Sequence, residues 1–296
     1  MSNTKKVVWS FVGIYVGGLI VLMVIFGITT HANHAFQPQN EFKLINWIHL
    51  GVFSINRAVV YLFIAALLTV FTMVFIARRM KARPNRVQTA VEALYSLMRD
   101  NITRGNMDDR MAAKWFPYVG ALFLFIWYCN LIGYLPLPTN SEQKVDIFGA
   151  HIPSFALYAA TANVSVPLML ALITFVAFNW EGIRSHGPFG YLKSLIPAGV
   201  SGPILFLIAP LEIISTFMRL VSLTVRLFAN LLAGHMIILF MAGGLGVIIG
   251  ASWIGWFSLP IGVAIYLFEL VLIATLQAFI FATLSAIYLG GAVSHH

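Results

Sequence analysis

The stretch that decides the fold runs over residues 203–243, PILFLIAPLEIISTFMRLVSLTVRLFANLLAGHMIILFMAG. It is apolar throughout except for a few charged and polar side chains. As one helix it would be about 60 Å long at about 1.5 Å per residue. The hydrocarbon core of a bilayer is only about 30 Å thick. Modest tilt absorbs a few extra residues, not twice the needed length, so this helix must lie steeply tilted in a membrane. Pro210 is placed to kink or break it near its start. Glu212, Arg219 and Arg226 recur every seven residues and share one face. A charge near mid-bilayer costs about 2.5–3.5 kcal/mol on insertion scales, so such residues face a partner or a wet cavity. Glu212 and Arg219 can form an internal ion pair, which is the plain structural reading of those two. Arg226 lies deeper and has no acidic residue within one helical turn. Around it stand Ser222, Ala229, Asn230, Ala233 and Gly234. Small side chains let another helix approach closely, whether in this chain or in a partner.

The rest of the chain fits this beginning. It has 296 residues, 60% hydrophobic and 9% charged, with a mean hydropathy of +0.88. Soluble domains carry about 25% charged residues, so the composition predicts an all-α polytopic membrane protein. The net charge of +8 does not point to nucleic acid, because the basic residues sit in short loops beside apolar runs. Five apolar segments besides 204–242 are expected, at 7–30, 58–77, 115–135, 164–180 and 257–289. The first follows Lys5 and Lys6 as a signal peptide would, but it is longer than a usual signal core and lacks a clean cleavage site. It reads as a retained helix. Arg78, Arg79, Lys81, Arg83 and Arg86 crowd one loop, and Arg184 and Lys193 another. The positive-inside rule places both loops, and both termini, in the cytoplasm. In residues 87–102, Val87, Ala90, Val91, Leu94, Leu97, Met98 and Ile102 recur at helical spacing and Gln88, Glu92, Arg99 and Asp100 fall mostly elsewhere, which reads as an amphipathic helix on the cytoplasmic surface or against a partner. Cys129, the single cysteine, reads as packing. No internal repeat and no separate soluble domain is visible.

The last two helices are long and expected to fold back on each other as a steeply tilted antiparallel hairpin. With the turn centred near residue 251 or 252, residue 226 lies opposite 277 and residue 235 opposite 268. Two polar levels result, Arg226 with Gln277, and His235 with Glu269. A His–Glu level suits proton relay, since histidine titrates near neutral pH and burial raises a glutamate toward that range. A buried hydrogen-bonded pair is the structural alternative.

At these residues a resemblance emerges. Ser222-Leu-Thr-Val-Arg226-Leu-Phe-Ala-Asn230-Leu-Leu-Ala-Gly234-His235 resembles the signature of subunit a of rotary ATP synthases, the bacterial F-type a chain. So do Leu276-Gln277-Ala278-Phe279-Ile280-Phe281, Asn130-Leu-Ile-Gly133-Tyr-Leu-Pro136 and Val87-Gln-Thr-Ala-Val-Glu92. The resemblance covers most of the chain from residue 58. It implies a subunit a membrane domain over 58–296, whereas the N-terminal transmembrane helix and outer loop over 1–57 are extra and have no counterpart in shorter bacterial members. By the resemblance, Arg226 matches the arginine that faces the rotor ring, and Asn230 and Gln277 are its polar neighbours. His235 falls in the outer channel, Glu212 toward the cytoplasmic exit, and Asn163 and Ser165 at polar positions on a neighbouring helix. Two departures stand out. Glu269 precedes Gln277 by eight residues, where the family's ionisable residue usually precedes it by seven, the place of Leu270. Gly133 stands where some members carry an acid.

The implied partners are the c-ring, b-type peripheral stalk subunits, protons and membrane lipid in a bacterial inner membrane. No cofactor is implied. The chain lacks a G-x-x-x-x-G-K-[ST] phosphate loop, so nucleotide chemistry is expected in partner subunits. The scattered histidines lack metal-ligand spacing. A self-contained secondary transporter would predict an internal repeat and a central cage. A non-conducting assembly scaffold would make Arg226 replaceable. Proton and sodium stay open as alternatives.

Overall fold

The computed structural model describes residues 46–50, 53–79, 85–147, 150–194, 204–241 and 252–293, together with single positions 13, 16, 17, 18, 20, 21 and 246. Five helices among them are long and apolar enough to cross a membrane. The protein is an all-α polytopic membrane protein, as its composition predicts. The helix expected over 7–30 falls mostly outside the described residues, although Gly13, Val16, Gly17, Gly18, Ile20 and Val21 are helical. The turn expected near 251 also falls largely outside them.

Helix α1 spans Arg57–Arg79. Its start is set by Asn56, whose Oδ1 accepts the Val59 N–H at 3.1 Å. Helix α2, Arg86–Ser96, is capped in the same way by Asn85 and runs on into a π-helical stretch, Leu97–Arg104. Helices α3, Asp109–Gly133, α4, Ser165–Ser194, and α5, Leu205–Leu239, follow. Pro210 lies in the second turn of α5 without ending it. The last apolar run is α6, Ser252–Phe268, a π turn, Glu269–Ile273, and α7, Ala274–Gly291. Two antiparallel hairpins fill loops: β1, Asn46–Leu50, with β2, Phe53–Asn56, and β3, Leu137–Ile147, with β4, Ala150–Ala156.

The described residues divide into two compact units, one of Leu44–Leu232 and Leu272–His296, the other containing Ala233–Val271. In the larger unit, Ala58, Tyr61 and Ala65 of α1 pack with Cys129 and Ile132 of α3 and with Tyr158 and Ala160. Small residues at the crossing let the backbones approach. Cys129 is one of these buried contacts. Arg57 is buried with its guanidinium 4.3 Å above the Tyr158 ring. Burial pushes the Tyr158 phenol up to about 12, against the opposing pull of Arg57. Polar staples cross the apolar interior. Tyr118 Oη bonds Thr174 Oγ1 at 2.8 Å, and Trp127 Nε1 donates to Thr275 Oγ1 at 3.1 Å.

Two features of this unit go beyond the sequence reading. The inner side of α2 begins with Gln88, which is buried and donates from Nε2 to Glu92 Oε1 at 2.6 Å. Val87 and Ala90 are exposed and line an apolar groove with Phe71, Phe75 and Trp127. The hydrogen-bonded Gln–Glu pair satisfies its own polar atoms, so its burial costs little. The fourth segment also extends past residue 180. Helix α4 breaks only at Gly187, where φ is +73°, before Pro188. Glycine alone tolerates that conformation, and the residue before proline avoids the helical region. Past the break, Tyr191 donates from Oη to Asn179 Oδ1 at 2.9 Å.

Candidate functional site

In the larger unit, α5 has two unlike sides. Thr216, Leu223, Thr224, Leu227 and Leu231 are buried, and the two threonines satisfy their hydroxyls on carbonyls one turn back. Ser215, Met218, Ser222, Arg226, Ala229 and Asn230 are exposed and fall on one face. Arg226 is therefore a cation on an outward surface of mostly small side chains. Its Nη2 donates to Ser222 Oγ at 3.4 Å, a long bond, and among the described residues no ion pair includes it. Glu212 and Arg219 form the internal pair that the sequence allowed, at 4.0 Å, and Arg219 also sits 5.2 Å from the Tyr288 ring centroid.

Gln277 lies on the inner side of α7 and is only 4% exposed. Among the described residues no hydrogen bond joins it to Arg226. Asn230, by contrast, shares the exposed face of Arg226.

In the smaller unit, Gly234, His235 and Glu269 are all buried. A Cβ built on Gly234 would come within 2.8 Å of both carboxylate oxygens of Glu269. Only glycine leaves this space, so α5 and the start of the π turn touch here. Residue 234 opposite 269 is the register that pairs 235 with 268, as expected for an antiparallel hairpin. The His–Glu level is thus physically close.

Several polar residues hold backbone. Asn163 Oδ1 accepts the Ser165 N–H at 3.0 Å and starts α4. Ser165 itself is exposed. Asn130, fully buried, donates from Nδ2 to the Ala274 carbonyl at 3.2 Å and accepts from Thr161 Oγ1 at 2.9 Å. Gly133 abuts Ala159, where a Cβ would fall inside 2.7 Å of that residue, so no acidic side chain fits at this position. Sequence reasoning missed the ion pair of Lys114 on α3 with the buried Glu181 on α4. The signal was available: each charge interrupts the edge of an apolar run. No cluster of three or more His, Cys, Asp or Glu side chains suited to a metal occurs among the described residues.

The family described as ATP synthase A chain matches residues 59–290. An ATP synthase subunit a from Frankia alni is 32% identical over 92% of this chain and 91% of its own length. One from Rubrobacter xylanophilus is 35% identical over 86% of this chain and 91% of its own length. One from Anaeromyxobacter dehalogenans is 33% identical over 81% of this chain, a match that spans 58% of that longer relative.

Proposed function

Because the chain belongs to the ATP synthase A chain family, membrane subunits of F-type ATP synthases, we propose that it is the proton-conducting stator, with Arg226 dividing two offset half-channels. The observation that carries this reading is the setting of Arg226: a guanidinium on a small-sided outward face, with Ser222 as its one hydrogen-bond partner among the described residues. A lone cation in lipid would be costly, so that face meets a carboxylate from outside the chain. The c-ring of the rotor supplies it. Arginine suits the task because it stays protonated in a dry site, where lysine would lose its proton.

Protons enter from the outer side past His235 and Glu269, with Asn163 and Ser165 near the start of α4. They neutralise the rotor carboxylate, which travels round in the lipid and releases them toward Glu212 on the cytoplasmic side. Asn230 lies beside Arg226 on the rotor face, and Gln277 is the second polar neighbour of the arginine. Arg226 attracts each rotor carboxylate only while it is ionised, and its fixed charge blocks direct leakage. A proton crossing 100 mV supplies about 2.3 kcal/mol, which the offset of the half-channels converts into rotation in one sense. At 35 residues α5 is about 52 Å long, so it lies tilted along the rotor rather than upright. Residues 58–296 form this membrane domain, with 1–57 as an appended helix and outer loop. The b-type stalk subunits hold it still, and the complex works in a bacterial inner membrane.

The test is ATP-driven acidification of membrane vesicles carrying Arg226→Ala in the assembled complex. Pumping should vanish while assembly and ATP hydrolysis by the soluble sector persist. Pumping near the wild-type level would instead favour the scaffold reading.

A further inference from the structure

We propose that the cleft between α1 and α2 holds an acyl chain of an anionic phospholipid, whose phosphate rests on Arg78 and Arg86. The cleft has a volume of about 520 Å³, inside the range of about 300–1,000 Å³ usual for small-molecule sites. Phe71 and Phe75 of α1 line it together with Val87 and Ala90 of α2, and Trp127 and Tyr128 of α3. The polar atoms of this lining are already satisfied. Thr72 and Tyr128 share a hydrogen bond of 2.7 Å, and Trp127 donates to Thr275. The cleft therefore suits hydrocarbon.

Charge selects which lipid enters. Phe71, Phe75 and Arg78 fall on one stripe of α1, at i, i+4 and i+7, and Arg86 and Ala90 stand one turn apart on α2. Each apolar wall thus runs up to an arginine. Both arginines sit at one end of the cleft, because α1 finishes and α2 begins there, joined by residues 80–85. Residues 78–86, RRMKARPNR, carry five basic side chains and no acidic one. Arg78 and Arg86 are exposed, and among the described residues no ion pair includes either. A basic cluster of this size beside a spanning helix attracts the anionic lipids of the cytoplasmic leaflet. The positive end of the α2 dipole falls at the same place, since the helix starts at Arg86.

A helix from another subunit is the competing occupant, and the walls disfavour it. Close helix packing in a membrane uses small side chains, whereas α1 presents two phenylalanines here, and Phe71 is 69% exposed. No residue of this site belongs to the proposed proton path.

The probe is phosphatidylglycerol with a photoactivatable diazirine on one acyl chain. It is added to the assembled complex in phosphatidylcholine vesicles, and its adducts are mapped by peptide mass spectrometry. Adducts should concentrate on the segments 71–75 and 87–94. Unlabelled phosphatidylglycerol should compete for them, and neither phosphatidylcholine nor inorganic phosphate should. Arg78→Gln and Arg86→Gln should each lower labelling of these segments about fivefold, the effect of one basic side chain near a charged surface. Ala90→Trp fills the cleft and should abolish labelling there while leaving labels elsewhere on the chain unchanged. If the tryptophan variant fails to assemble, the arginine variants and the wild-type competition decide. Equal labelling by a phosphatidylcholine probe would reduce the cleft to ordinary lipid contact and overturn the proposal. Competition by inorganic phosphate would reduce it to an anion site without an acyl chain. Unlabelled cleft segments in a wild-type complex would hand the cleft to a protein partner.

Discussion

Gly234→Ala isolates the contact between α5 and Glu269. The added methyl carbon would sit within 2.8 Å of both carboxylate oxygens, whereas ordinary contact begins at 3.4 Å. The nearer carboxylate oxygen therefore has to recede by about 1 Å and the farther by about half an ångström, which a flexible side-chain end can do without breaking the helix pair. Overpacking costs about 1–3 kcal/mol. Replacing a helical glycine by alanine returns about 1 kcal/mol. The net penalty leaves the subunit able to assemble. Function is more sensitive than stability, since a displacement of 1 Å at a reacting group costs about a hundredfold. Passive proton flow through vesicles stripped of the soluble sector should fall about tenfold, and its pH midpoint should move as Glu269 and His235 change their spacing. Adding Glu269→Asp, one methylene shorter, should restore part of the flow. Flow within about twofold of wild type, with the midpoint unchanged, would refute a working contact at this level.

The remaining predictions concern stability. Lys114→Met should destabilise the detergent-solubilised complex by about 1–2 kcal/mol, because it strands the buried Glu181 carboxylate, while Glu181→Gln should cost less than about 1 kcal/mol. The asymmetry follows from exposure: the Lys114 side chain is 42% accessible and that of Glu181 only 8%. Thermal inactivation of both variants checks it, and equal losses would contradict it. Gly182→Ala would place a methyl carbon inside 3.0 Å of two Tyr191 ring atoms and at 3.0 Å from a third. Tyr191 is held by Asn179, itself tied to the Phe175 carbonyl at 2.7 Å, so the ring cannot simply withdraw. A loss of about 1–3 kcal/mol is expected, read as a lower steady-state amount of subunit in the membrane. Gly182→Ala with Tyr191→Ala should recover it.

The spans were legible because apolar runs of this length have few other uses in a folded chain. Their ends were less so. Helix α3 begins at Asp109, six residues before the apolar run that announces it, because Arg110 and Lys114 are as good in a helix as Leu. Helix α4 continues to Gly187 past a charged stretch for the same reason. The contact of Gly234 with Glu269 was legible from counting back along a hairpin, since one register fixes every opposite pair. The π turn was not, because an inserted residue changes the phase of a helix without changing its composition. Gly133 showed the reverse: its identity suggested a vacated acidic position, and the structure gives it a packing reason against Ala159. The hairpins β1–β2 and β3–β4 occupy loops whose alternation was too weak to mark strands.

Helix α5 has the least covering of the five spans, only 11% of its apolar window being buried by its own chain. Its structure is therefore a request for a neighbour. A newly inserted copy with no rotor beside it holds Arg226 against lipid, an arrangement that favours sliding of the helix toward the membrane surface and exposure to quality-control proteases. If Arg226 meets the rotor as proposed, the same feature sets an order of events in biogenesis. If the rotor is present first, the cation is neutralised on arrival and no open proton path ever stands alone in the membrane.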